Sequence, residues 1–167
     1  MSVPTRIATV TAVLTVGLAA LASGAGEKIT AAGTTHVRLG MTYQQLRNAG
    51  RVGKINHGCE LAGPNARGAM LNPPLKGSVD LSFSSPRKIK TITISGGATA
   101  RGVGVGERVA DIKAAYPKAQ VDHSTEEVFA ITLVKIPKSG GGKLQFAVDT
   151  GSKKVSLIGI PNIAFCE

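Results

Sequence analysis

The chain has 167 residues, enough for one domain or two very small ones, and its 20 Lys and Arg against 10 Asp and Glu give a formal charge of +10. This excess favours anionic partners such as cell-wall polymers, nucleic acids and lipid headgroups. Only 4% of the residues are aromatic and none is tryptophan, which argues against recognition of nucleic acid by base stacking.

Residues 1–25 have the pattern of a cleavable secretory signal peptide. Arg6 gives the basic start, and an uncharged apolar run over 7–22 is followed by small residues. The run of about 16 residues is shorter than the roughly 20 that span a bilayer, which disfavours a retained membrane anchor. Cleavage after Ala22 and cleavage after Ala25 both fit. We therefore expect a secreted, extracellular chain with no stable membrane span, whose charge falls from +10 to +9 because Arg6 is removed.

After the signal peptide, residues 26–34 are expected to form a flexible N-terminus. The rest of the chain matches itself at a spacing of about 66 residues, which is the signature of an internal repeat. These matches predict two repeat units, 35–98 and 99–167, within one compact mature domain. Three blocks match in the same order: 39–49 with 105–115, 81–83 with 144–146, and 88–94 with 154–160.

Each unit is predicted to begin with a short helix. Thr42 and Gln45 have the spacing of a capping box, in which each side chain satisfies a main-chain N–H of the first turn. Leu46 in the first unit and Ile112 in the second belong to the apolar helix face, and Pro117 ends the second helix. Both helices are expected to have two to three turns.

Antiparallel strands are predicted to follow each helix, because apolar residues alternate with polar ones. In the second unit a further strand is predicted over 128–136, before a glycine turn at 140–142. The counterpart of this strand in the first unit is the stretch around 69–71, which lies in a predicted irregular loop over 62–78. The predicted fold class is α+β, with two tandem copies of a short helix followed by a three-stranded antiparallel meander. The alternating apolar residues are Val79, Leu81 and Phe83 in the first unit and Leu144, Phe146 and Val148 in the second.

Residues 39–46, with Cys59 following, resemble the opening of each repeat in secreted β-lactamase-inhibitor proteins. They are also similar to the small lipoprotein subunit of the outer-membrane β-barrel assembly machinery. The resemblance implies a short helix packed on an antiparallel sheet and a role in binding another protein. In the second copy Glu107 and Arg108 replace Met41 and Thr42. The inhibitors' aromatic concave face and their disulfide in each repeat have no counterpart here, so the target stays open.

Two cysteines are present, Cys59 and Cys166. In an oxidising compartment an even count of two predicts a single disulfide. The link would close a loop of about 107 residues. In the loop-entropy model such a link stabilises the folded chain by roughly 4 to 5 kcal/mol.

The sequence argues against an enzyme, and neither a cofactor nor a metal is expected. His36, His57 and His123 lack metal-ligand spacing, and no serine is framed as a nucleophile. An unrecognised small hydrolase using His57, Cys59 and His123 is an alternative. The glycines over 102–106 suggest a dinucleotide loop but have the spacing G-x-G-x-G rather than G-x-G-x-x-G, so we expect them to link the two units.

The leading hypothesis is a secreted, non-catalytic binding protein that recognises an extracellular protein or polymer. The alternative is a basic cell-envelope protein held to an anionic wall polymer, and solubility alone also accounts for the charge, because the cations are spread along the chain. Nucleic acid is an unlikely partner. The candidate binding residues are Lys88, Lys90, Lys153 and Lys154.

Overall fold

The computed structural model describes residues 26–139 and 142–165, so the predicted signal peptide lies outside the described residues. The strands are β1 Glu27–Lys28, β2 Val52–His57, β3 Arg67–Leu71, β4 Lys76–Leu81, β5 Ile89–Gly96, β6 Ala98–Thr99, β7 Gln120–Asp122, β8 Ile131–Ser139, β9 Gly142–Asp149 and β10 Val155–Ile160. The helices are α1 Tyr43–Asn48, α2 Val109–Ala115 and α3 Glu126–Phe129, with a 3-10 turn at Glu60–Ala62.

Eight strands form one antiparallel sheet in the order β2-β3-β4-β5-β10-β9-β8-β7. The central strands β5 and β10 pair with Ile94 opposite Ile158 and Ile92 opposite Ile160. All four side chains are fully buried, because alternate residues of a strand point to the same face. The short strands β1 and β6 form a separate parallel pair.

The predicted α+β class, with two tandem copies of a helix and a three-stranded meander, is wrong. The described chain is mostly one eight-stranded sheet, and its helices have only four to seven residues. Strand β5 from the range 35–98 pairs directly with β10 from the range 99–167, which satisfies main-chain groups that two separate sheets would expose at their edges. The sequence pattern also misses β2 and β7, which lie at the sheet edges and bury few side chains.

The main core lies on the sheet face that packs against α1 and α2. Each of these helices contributes one fully buried side chain to the core, Leu46 from α1 and Ile112 from α2. The predicted capping box of α1 is confirmed, because Thr42 Oγ1 accepts the Gln45 N–H at 3.2 Å and Gln45 Oε1 accepts the Thr42 N–H at 2.8 Å. The three β9 residues predicted to face the core, Leu144, Phe146 and Val148, are buried, but Ala147, predicted on the opposite half-exposed face, is fully buried as well.

The other face of the sheet is covered in part by the C-terminal segment, residues 161–165. Ile163 of this segment packs in a small second cluster with Ala147 of β9. The Phe165 ring stacks on Phe129 of α3, with ring centroids 4.5 Å apart. Strand β9 is therefore buried on both faces. Strands β3 and β4 belong to the other half of the strand order, across β5 and β10 from β9.

Two residues predicted to belong to buried strands lie on the surface. Strand β4 ends at Leu81, and the chain bends over 83–86, so Phe83 leaves the alternating face and is 61% exposed. Val128, expected to begin a strand, belongs to α3 and is 71% exposed.

The N-terminal and glycine-rich segments both have defined structure. Within 26–34, β1 pairs with β6, and the N–H of buried Ile29 donates to Thr99 O at 2.7 Å. Gly102 and Gly106 have φ of 85° and 95°, a left-handed conformation that glycine adopts without steric cost. The chain therefore turns here between β6 and α2. The glycine turn predicted at 140–142 lies partly outside the described residues.

The core assignment predicts unequal costs for two leucine truncations. Leu46→Ala removes a fully buried side chain and should lower the free energy of unfolding by about 2–5 kcal/mol. Leu61→Ala, at a position 70% exposed, should change it by about 0.5 kcal/mol or less. Urea denaturation of both variants measures the difference, and equal losses would contradict the placement of α1 on the core.

Candidate functional site

The four lysines predicted as a binding set do not lie together. All four are exposed, but Lys88 and Lys90 are at the start of β5 and Lys153 and Lys154 precede β10. Because β5 and β10 run antiparallel, the two pairs lie at opposite ends of the central strands. About eight residues of strand, roughly 26 Å, separate Lys90 from Lys154. A compact ligand cannot contact both pairs at once.

Three neighbouring depressions, of about 370, 330 and 490 Å³, share Phe83 in their linings, and we call them together the Phe83 surface. Phe83 lines all three, and Arg87 lines two. The charged residues of the largest depression are Arg67, Asp80 and Lys90. Of the four predicted lysines, Lys90 is the one that lines this surface.

Phe83 projects from a loop whose base is fixed by hydrogen bonds. The Ser82 N–H donates to Lys88 O at 2.7 Å, and Ser82 Oγ accepts the Lys88 N–H at 2.9 Å. Arg87 Nη1 donates to Ser82 O at 3.1 Å. The loop thus closes directly beyond the ends of β4 and β5, and the exposed phenyl ring extends from an ordered base.

Two cationic side chains, Arg67 and Lys90, line the largest depression together with the ring. Arg67, the first residue of β3, is oriented by the loop before it, because its Nη1 donates to the main-chain oxygens of Pro64 and Ala66 at 3.0 and 2.7 Å. Lys90 is exposed on β5, which is the strand next to β4. Neither residue forms an ion pair among the described residues, so both charges are available to a ligand.

Asp80 is the one acidic residue of the Phe83 surface. Its carboxylate lies beside Gly68 of β3, where a side chain would come within 3.6 Å of Oδ1. Burial raises the pKa of the Asp80 carboxyl above its ordinary value of 3.8. Within 26–139 and 142–165 the carboxylate has no hydrogen-bond or ion-pair partner. A cation or a hydrogen-bond donor from a ligand would therefore satisfy it.

The C-terminal segment borders the largest depression through Ala164. Cys59 also lines this depression, and its Sγ lies 3.7 Å from the main-chain oxygen of Phe165. Cys166 lies outside the described residues, so its pairing with Cys59 stays a prediction. That disulfide would hold the segment as one wall of the surface.

The predicted histidines are not gathered into a site. His36 and His57 are exposed on separate segments. His123 Nδ1 lies 2.6 Å from Glu126 Oε1, and the hydrogen bond from the Thr132 hydroxyl, followed by that from His123, lowers the pKa of Glu126. The described part of the chain has no group of three or more His, Cys, Asp or Glu side chains placed to hold a metal ion. None of its helices is long and apolar enough to cross a membrane.

Most of the Phe83 surface cannot be identified from residue patterns. Phe83 continues the alternation of β4, so the pattern assigns it to the core. The polar turn sequence after it, Ser84-Ser85-Pro86, is the one local sign that the strand ends earlier. Arg67 and Asp80 come together across neighbouring strands, which no local spacing predicts.

No protein family, curated protein or solved structure matches this chain. The resemblance of residues 39–46 to secreted inhibitor repeats therefore stays a prediction.

Asp80 predicts a dependence of stability on pH. The pKa of Asp80 is raised in the folded chain, so above that pKa its ionised carboxylate destabilises the fold. Below 3.8 the carboxyl is protonated in both the folded and the unfolded chain, and it then has no effect on stability. Asp80→Asn should therefore increase the free energy of unfolding at pH 7 and leave it unchanged at pH 3, as measured by urea denaturation at both values.

Asp149→Asn is the matched control with the opposite sign. The Ser152 N–H donates to Asp149 Oδ1 at 2.7 Å, and this bond lowers the pKa of Asp149. Its ionised form therefore stabilises the fold at pH 7, and the stabilisation is lost as pH falls below 3.8. A lower free energy of unfolding for Asp80→Asn at pH 7 would contradict the prediction, because it would show that the native Asp80 carboxylate has a stabilising partner.

Proposed function

We propose that this chain is an exported, non-catalytic binding protein that recognises another extracellular protein through the Phe83 surface. The observation that carries the proposal is a phenyl ring, 61% exposed, on a hydrogen-bonded loop inside a recessed area. Aromatic and arginine side chains are enriched at the centres of protein interfaces, where a few residues supply most of the binding energy. An aromatic ring buries a large area with little loss of side-chain freedom. An exposed ring on a fixed base is suited to this role.

The charges around the ring favour a partner with an acidic surface. Arg67 and Lys90 line the largest depression, Arg87 lines the other two, and the mature chain carries an excess of cations. The net charge speeds encounter with an acidic protein, whereas contacts at the ring determine how long the complex lasts. Asp80 provides an acceptor for one donor of the partner within an otherwise cationic rim.

A second candidate is attachment to an anionic wall polymer. It is favoured by the exposure of Lys88, Lys90, Lys153 and Lys154 at both ends of the central strands. A long polyanion can contact charges that are roughly 26 Å apart, and its binding would fall steeply as salt rises. A protein bound at the Phe83 surface would depend less on salt, because apolar contact contributes to its affinity.

Phe83→Ala should weaken binding of the partner by roughly thirtyfold, since a central aromatic anchor contributes about 2 kcal/mol or more. The mature chain is immobilised, exposed to the secreted proteins and wall extract of the producing cells, and eluted with rising salt. The captured protein is then titrated against each variant by calorimetry. Val128→Ala is the control, since Val128 is also an exposed apolar residue, at 71%, but lies on α3. Equal affinity of the two variants would reject the proposed site.

Two double variants with the same net charge distinguish the candidates. Lys88→Gln/Lys90→Gln should weaken a protein partner at least about threefold, whereas Lys153→Gln/Lys154→Gln should leave its affinity unchanged. Binding to a wall polymer should weaken equally in both, because each variant loses two exposed charges. Sedimentation with purified wall material at several salt concentrations gives the comparison.

A further inference from the structure

A second recessed area lies at the C-terminal end of α2 and shares no lining residue with the Phe83 surface. It consists of two adjoining cavities of about 250 and 360 Å³, and four residues line both. We call the combined area the Arg101 groove. The shared residues are Arg101, Tyr116, Ile136 and Pro137.

The walls of the Arg101 groove are mostly apolar. Ile29 of the N-terminal segment and Leu144 of β9 are buried beneath it. Ile136 of β8 and the ring of Tyr116 are half-buried, and the Tyr116 ring packs against Phe146 with centroids 6.0 Å apart. Cavities of a few hundred Å³ with apolar walls and a few polar groups are typical of small-molecule sites.

Arg101 is held over this apolar wall by a tight turn of the main chain. Its φ is 51° and that of Gly102 is 85°, because these two residues form a tight turn that is closed by reciprocal main-chain hydrogen bonds between Ala100 and Val103. Its guanidinium carbon lies 4.9 Å from the centroid of the Tyr116 ring, and Nη1 donates to Ala115 O at 3.3 Å. These contacts fix the orientation of the charged group.

The guanidinium retains binding capacity. Arginine has five N–H donors, and the Ala115 carbonyl is the one acceptor that its side chain contacts within the described residues. Lys118 adds a second cation to the groove. The lining residues of both cavities include no carboxylate. A bound anion would therefore meet two positive charges and no negative one.

We propose that the Arg101 groove binds an amphipathic carboxylate, with the carboxylate on Arg101 and an unbranched aliphatic body along Ile136 and Leu144. Arginine matches a carboxylate with two parallel hydrogen bonds, and the apolar walls bury the aliphatic body. This site does not depend on the proposed protein-binding role of the Phe83 surface.

Decanoate is the test ligand, titrated by isothermal calorimetry and by ¹⁵N–¹H correlation spectra of the mature chain. We expect saturable binding whose shifted amides include those of Arg101 and Ile136. Acetate, which lacks the apolar body, and 1-decanol, which lacks the charge, should each bind at least tenfold more weakly. Decanol binding as tightly as decanoate, or no saturation by decanoate, would overturn the proposal.

Arg101→Gln should weaken decanoate at least tenfold, whereas Arg38→Gln, which removes an exposed arginine outside the groove, should have no effect. Arg101→Gly is the second variant, because glycine adopts the positive φ without strain and so preserves the fold. It should keep the wild-type circular dichroism spectrum and still lose decanoate. Unchanged affinity in either Arg101 variant would contradict the site, and Phe83→Ala should bind decanoate normally.

Discussion

The antiparallel pairing of β5 with β10 is the constraint on which the rest of the structure depends. Ile92, Ile94, Ile158 and Ile160 meet there and are fully buried, and each buried isoleucine contributes about 1.5–3 kcal/mol through loss of apolar surface from water. The pairing joins strands from the two parts of the chain into one sheet. It also places α1 and α2 on the same face, over a single core.

The same pairing decides which parts of the other face are open. The chain leaves the end of β10 next to the start of β5, and the C-terminal segment then packs on Ala147 through Ile163. It covers the β9 side of the sheet and borders the largest depression through Ala164. The Phe83 surface therefore lies between this segment and the loop that precedes Arg67, at an open end of β4 and β5.

The two candidate sites use cations in different ways. On the Phe83 surface, cations stand at the rim around an exposed aromatic ring, an arrangement that suits contact with a large acidic surface. In the Arg101 groove, a single guanidinium is fixed by Tyr116 and a main-chain carbonyl above apolar walls. That geometry suits the carboxylate of one amphipathic small molecule. The two proposals thus assign cations of the chain to two surfaces with separate chemistry.

The sequence by itself determined the features that depend on neighbours a few residues apart. The Thr42–Gln45 capping box and the alternation over Leu144 to Val148 are of this kind, because a helix cap spans three residues and a strand exposes alternate faces. Only the tertiary structure decided that β5 and β10 share a sheet, since alternation shows which face is apolar but does not specify the partner of an edge. It likewise decided that Phe83 is exposed and that Arg101 lies over Tyr116, because both depend on chain segments brought together by the sheet.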